Sequence, residues 1–272
     1  MARHDLIEQL ILDEKTQTVL DAMNKPVGSM DFDAWGFNRG TNRAAIAAFR
    51  WLYEKYFRVI TRGLDNIPSE GRCLVIANHS GQLPFDAALL GYALATNPHG
   101  PRAPRAMMER FLPTVPFVGN FLNEIGAVVG DPVNCERMLE SEEVILVFPE
   151  GVRGTGKPIQ KRYQLQRFGH GFMYLAVATN TPIVPVGIVG CEETMPTIGH
   201  SKLLARLTGL PYVPIAPPVV LPTRVRIHVG EPMHFSAREG TSEEVMQQVE
   251  EVKDAIRGLL DRGLAERKGI FS

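Results

Sequence analysis

Three short apolar runs, Cys73–Ala77, Val144–Phe148 and Ile183–Val189, carry no charge and do not alternate with polar residues. A strand with one wet face must alternate, whereas one covered on both faces need not. Such runs, spaced widely enough for helices between them, call for a sheet enclosed by helices. Pro84–Thr96 and Phe168–Thr179 read as helices, Val225–Val229 as a late strand and Ser242–Arg267 as a long amphipathic helix. Arg58–Gly63 alternates like a half-buried strand. The expected fold class is α/β: a central, largely buried sheet flanked by helices. Residues 3–24 and 41–57 read as helices ahead of the sheet, giving an N-terminal helical segment over 1–56 and an α/β domain over 57–272.

Bulk properties narrow the function. Hydrophobic content of 44% and charge of 22% are those of a folded globular chain. A net charge of −1 speaks against a nucleic-acid binder. Cys73, Cys135 and Cys191 are widely spaced and form no disulfide framework, which suits a reducing compartment. The first residues mix acids into their apolar stretch, unlike a secretory signal. Phe111–Val129, the longest apolar candidate for a membrane span, is broken by Pro113, Pro116, Asn120, Asn123 and Glu124. The expectation is a cytoplasmic protein, peripheral on a membrane, with no transmembrane helix.

The chemistry gathers behind two of the runs. After Cys73–Ala77 comes Asn78-His79-Ser80-Gly81-Gln82-Leu83-Pro84-Phe85-Asp86. A hydroxyl is a poor nucleophile near neutral pH, so acylating it calls for a base such as histidine. A carboxylate on the far ring nitrogen fixes the tautomer and stabilises the imidazolium. His79 falls at the carboxyl end of a strand, where open α/β sheets collect their ligands, and Asp86 falls at the start of the next helix. The plainer reading has Asp86 capping the helix and His79 bonding a strand end.

After Val144–Phe148 comes Pro149-Glu150-Gly151-Val152-Arg153. Gly151 permits a sharp turn and close approach to a ligand. Arg153 offers a planar fork for phosphate or carboxylate. Residues 151–167 contain Arg153, Lys157, Lys161, Arg162 and Arg167 and no acid, so this stretch is the best candidate for holding an anion, against the alternative of a solvated basic loop. Gly151–Lys157 also copies most of a nucleotide-binding P-loop. The next position is Pro158, which has neither the hydroxyl for magnesium nor an amide for phosphate, so nucleotide hydrolysis is rejected. There is no metal-ligand spacing among the histidines and no GxSxG elbow, so no metal and no covalent acyl-enzyme are expected.

The two blocks, in this order, resemble those of the glycerolipid acyltransferase family, whose type member acylates 1-acylglycerol-3-phosphate. Gly126–Asp131 and Thr181–Gly187 resemble its second and fourth motifs. The resemblance covers roughly residues 57–235. It implies His79 as general base with Asp86 as its partner, and Glu150 and Arg153 as contacts to the acceptor's glycerol phosphate. It further implies an acyl-CoA or acyl-carrier-protein thioester as co-substrate, with no bound cofactor, and a lipid acceptor at a membrane surface. Backbone amides near Gly151 are the expected oxyanion donors. Two departures stand out. Six residues separate His79 from Asp86 where the common pattern has four, a spacing found in a divergent bacterial branch, and Pro132 occupies the second motif's arginine position, with Arg137 nearest. Water or a neutral acylglycerol as acceptor, and a non-catalytic lipid-binding role, are the competing readings. Phe111–Val118 is a candidate acyl tunnel or membrane lip, and Ser201–Val213 either an interfacial or a core-packed piece.

Overall fold

The computed structural model describes residues 13–23, 27–28, 30–201, 206, 213–236 and 241–272. Its centre is a seven-stranded sheet built from β1 (Ile60–Arg62), β2 (Cys73–Ala77), β3 (Arg105–Met108), β4 (Val128–Val129), β5 (Val144–Val147), β6 (Ile183–Val189) and β9 (Arg226–Val229). Their order is β1-β9-β6-β2-β5-β3-β4. All neighbours are parallel except β6 and β9, so β1 and β9 run against the rest. A small antiparallel pair, β7 (Gly199–His200) with β8 (Pro214–Ile215), stands apart.

The unalternating runs are the three central strands. β2 pairs β5 through Val75↔Leu146 and β6 through Val75↔Val184, and every residue of β2 and β6 is buried. The period of two divides their side chains between two cores. On one face Val75, Ala77, Leu146, Val184 and Ile188 meet Leu89, Leu90 and Leu94 of α3 (Phe85–Ala95). On the other, Leu74, Ile76 and Ile145 meet Met138 of α5 (Pro132–Glu140), Phe172 of α7 (Gly171–Ala178) and Val252 and Ile256 of α8 (Ser242–Ala265). Gly187 allows α8 to lie directly on β6, because a Cβ there would sit 2.7 Å from that of Leu259. Pro185 is tolerated inside β6 because it falls between the β9 ladder, which begins at Val186↔Val229, and an isolated bridge at Ile183↔Met233.

Ahead of the sheet lie α1 (Glu14–Asp21), capped by Asp13, and α2 (Arg39–Trp51), capped by Asn38. The expected helix over 41–57 widens into a π segment at Leu52–Tyr56, where the Phe57 N–H reaches back to the Leu52 carbonyl. The described part of the helix expected over 3–24 is α1; the rest falls outside the described residues. Leu20, Ile46 and Ala47 pack on Tyr92 and Ala95 of α3, and Tyr53 stacks on Tyr92 with ring centroids 4.3 Å apart. Most of Ser201–Val213 also lies outside the described residues. Among the described residues no helix is long and apolar enough to cross a membrane, and no three His, Cys, Asp or Glu side chains group as metal ligands.

Candidate active site

The carboxyl ends of β2 and β5 open side by side. Backbone pairing of β2 with β6 stops at Ala77↔Val186, and the Asn78 amide continues it. Its Nδ2 donates to the Ile188 carbonyl at 3.1 Å, and the Ile188 N–H donates to Oδ1 at 2.7 Å. The residue before His79 is thereby fixed in a fully buried position. His79 Nδ1 lies 2.6 Å from Oδ2 of Asp86, which is itself wholly buried. The same oxygen accepts the Ser80 N–H at 2.7 Å, and Oδ1 accepts the Ala87 N–H at 2.8 Å. Asp86 thus stands in the first turn of α3, where the helix dipole favours a carboxylate, and still reaches the imidazole. Helix role and histidine partner are one and the same residue. The six intervening residues are absorbed by a turn at Gly81, whose φ of +87° suits glycine and brings the chain against the Cys191 carbonyl.

With a carboxylate on Nδ1, the proton belongs there and the Nε2 lone pair is free to accept another. The imidazole also lies flat on Phe148, with centroids 4.5 Å apart. Beyond β5 the chain turns through Gly151 (φ +55°) into a single helical turn, α6 (Val152–Thr155). Gly154 lies directly against the histidine: a Cβ there would come within 2.7 Å of His79 Cβ and 2.9 Å of Glu150 Cβ. Gln82 Nε2 donates to the Thr155 carbonyl at 2.9 Å and ties the two blocks a second time.

The remaining predicted site residues part company. Glu150 is wholly buried; its Oε1 accepts the His79 N–H at 2.9 Å, and its Oε2 accepts the Gln166 N–H at 2.7 Å. Its carboxylate holds protein groups, where the resemblance implied an acceptor contact. Lys157, read from sequence as an anion holder, turns inward: its buried Nζ lies 2.9 Å from Glu192 Oε1 and 3.5 Å from Glu150 Oε2. Arg162 stands on the surface 3.5 Å from Glu193, which Arg267 also clasps with both prongs at 2.5 and 2.8 Å. Among the backbone amides near Gly151 expected to face an oxyanion, that of Gly151 itself donates to the Phe148 carbonyl at 3.0 Å. Arg153 remains exposed, with one contact from Nη2 to the Arg167 carbonyl at 3.3 Å. The basic stretch therefore holds no single cluster. Burial pushes the Glu192 carboxyl up, against the pull of Lys157. Burial and nearby Asp86 push the Cys191 thiol well up, which makes it inert.

Asn78, Gly154 and Glu192 escaped the sequence reading. Asn78 adjoins the histidine and was legible by position. Gly154 was hidden in the false P-loop, and Glu192 lies in a different segment from everything it touches.

The acyltransferase family profile matches residues 58–189. An uncharacterized protein of Mycobacterium leprae is 38% identical over 259 residues, which span 90% of this chain and 71% of that protein. The DGAT1/2-independent enzyme synthesizing storage lipids of Bos taurus is 26% identical over 74% of this chain and 58% of its own length. Among solved structures, the 1-acyl-sn-glycerophosphate (LPA) acyltransferase PlsC from Thermotoga maritima shares the fold, with a TM-score of 0.55 at 22% identity over 84% of this chain and 80% of that one. The chain belongs to the acyltransferase family.

Proposed function

We propose that the protein transfers a fatty acyl chain from an acyl-CoA or acyl-carrier-protein thioester to a hydroxyl of a glycerolipid, with His79 as general base. The observation that carries this is the His79 Nδ1–Asp86 contact of 2.6 Å at the open end of the sheet. His79 Nε2 takes the hydroxyl proton as the oxygen attacks the thioester carbonyl. The tetrahedral intermediate collapses, the C–S bond breaks, and the leaving thiolate takes the proton back from the imidazolium. The catalytic unit is assigned to residues 57–272 and the N-terminal helical segment to 1–56, of which α1 and α2 pack on α3.

Two acceptors fit the family: a lysophosphatidic acid and a neutral acylglycerol. Several observations favour the neutral one. Lys157 and Arg162 are committed to carboxylates. Pro132 stands at the second motif's arginine position, and Arg137 lies exposed on α5. The Glu109 carboxylate flanks Gly151, 3.1 Å from where a Cβ would lie, an unwelcoming neighbour for a phosphate. Of the basic residues proposed for the site, Arg153 remains uncommitted to a carboxylate and is the candidate for an anionic group.

The assigned setting is the cytoplasmic surface of a membrane, supported by three buried free cysteines and an exposed apolar lip. Phe117 is 90% exposed, with Val118 and Phe121 of α4 (Val118–Glu124) beside it. Gly119 crosses so close to Pro113 that a Cβ would approach within 2.7 Å, and the resulting tight loop carries Phe117 at φ +65°. The lip follows Glu109, and so begins next to the Glu150–Arg153 turn.

The test is thiol release from long-chain acyl-CoA by the wild type and His79→Ala, with lysophosphatidic acid, with monoacylglycerol or diacylglycerol, and with no acceptor. Acceptor-dependent release that is lost in the variant supports the transferase and identifies its acceptor. Equal release without acceptor would replace it with a thioesterase, and turnover by the variant would overturn the role of His79.

A further inference from the structure

Lys157 and Glu192 lie outside the two motif blocks' catalytic pair, yet they form a buried ionic bridge that ends on the histidine. Lys157 is 8% exposed and Glu192 7%. Three carboxylate or ammonium groups meet there: Glu150 on the loop after β5, Lys157 after α6, and Glu192 in the turn after β6. Two carboxylates this close and this dry need the single cation between them. Both are also anchored by backbone donors. Glu192 Oε2 accepts the Tyr163 N–H at 2.9 Å, and Glu150 Oε2 accepts the Gln166 N–H at 2.7 Å. Tyr163 adopts φ +62°, and its hydroxyl accepts the Gly190 N–H at 3.0 Å, so the loop is clamped to the end of β6. Towards the catalytic pair this arrangement presents Glu150 Oε1, which receives the His79 N–H at 2.9 Å.

We infer that Lys157 and Glu192 are positioning residues that act through Glu150 on His79. The inference rests on the reading of His79 as the base. Lys157 holds the Glu150 carboxylate in place, Glu192 holds Lys157, and Glu150 fixes the backbone from which the imidazole projects. Asp86 orients the ring from one side while this bridge sets the height of the main chain that bears it. A displacement of about 1 Å at such a group is enough to cost on the order of a hundredfold in rate. A lysine that bound the substrate's anion would act differently, through substrate affinity, and would gain nothing from the loss of Glu192.

The experiment compares Lys157→Met, Glu192→Gln and the double variant. Lys157→Met is expected to lower kcat by about 10–100-fold with KM for the acceptor changed by less than about twofold. Adding Glu192→Gln, whose oxygen still accepts the Tyr163 N–H, is expected to recover at least about tenfold of the loss, because Glu150 is then no longer repelled by a second buried carboxylate. A raised KM with kcat kept, or a double variant no better than the single, would overturn the inference. Should Lys157→Met fail to fold, Lys157→Arg, which keeps the cation, must retain kcat within about threefold. The ¹⁵N imidazole resonances of His79 supply a readout that needs no turnover. They must shift in Lys157→Met and return towards the wild type in the double variant, even if no acceptor tried supports activity; unmoved resonances would sink the proposal independently of the assigned reaction.

Discussion

The turn after β2 and the excursion between β3 and β4 both leave the same edge of the sheet, and they are built on opposite terms. Residues 78–86 are held by a set of buried hydrogen bonds: Asn78 to Ile188, His79 to Asp86 and Glu150, and the Ser80 N–H to Asp86. Residues 110–121 place large apolar side chains in solvent, with Phe117 in a backbone conformation that bulky residues avoid. A geometry fixed by short buried hydrogen bonds suits chemistry, which tolerates little displacement. An exposed apolar loop suits a soft partner such as a lipid surface, where position matters less than area.

The strongest way to break this contrast is at His79, the proposed base. His79→Ala should lower turnover by about 10²- to 10⁴-fold while thermal unfolding stays near that of the wild type; a large loss of stability would mean that the histidine serves the fold first. Next comes packing against it. Gly154→Ala should destabilise the chain by about 1–3 kcal/mol and depress kcat, since the added methyl strikes His79 and Glu150; denaturant titration and initial rates would show whether α6 can shift without cost. Asn78→Ala strands the Ile188 N–H and carbonyl and should cost about 1–3 kcal/mol, measurable by the same titration.

At the excursion the signs reverse. Phe117→Gly should weaken binding to vesicles in a flotation assay while stability holds or rises by up to about 1 kcal/mol, because glycine accepts the positive φ. Lost stability with undiminished vesicle binding would show the loop to be a structural element after all. The smallest effect lies far from both regions. Burial lowers the pKa of His228, with Arg62, Arg262 and Arg226 acting in the same direction and Glu266 opposing them. The unfolded chain therefore binds the proton more readily, and folding stability should decline as pH falls through about 6.5, the ordinary histidine value. His228→Gln should flatten that slope in unfolding curves taken between pH 7.5 and roughly 5.5.

The strands that the sequence makes plain are those buried on both faces. β2 and β6 run over the residues their apolar runs predict, and β5 ends one residue short of Phe148. β3 went unseen because Arg-Ala-Met-Met carries no strand pattern. Arg105 is wholly buried in it only because Asp33 and Glu143, distant in sequence, both accept its Nη2. The same limit applies at the site. His79 and Asp86 are local to one turn, and a histidine with a carboxylate in reach can be read from residue types alone. The basic residues after Gly151 could not be sorted that way. Whether a lysine faces a ligand or a buried carboxylate depends on what the end of β6 brings beside it, and Glu192 and Glu193 lie some thirty residues further along.

Arg267 offers a last point, about timing. It follows α8, and its clasp on Glu193 completes the carboxylate-rich turn after β6. Every residue named in the motifs has been synthesised long before it. A nascent chain emerging amino end first therefore carries the full set of reactive groups while the β6 face still lacks α8 and Glu193 lacks its strongest partner. The β6 face and the carboxylate-rich turn after it are therefore completed by residues that follow both motif blocks in the chain.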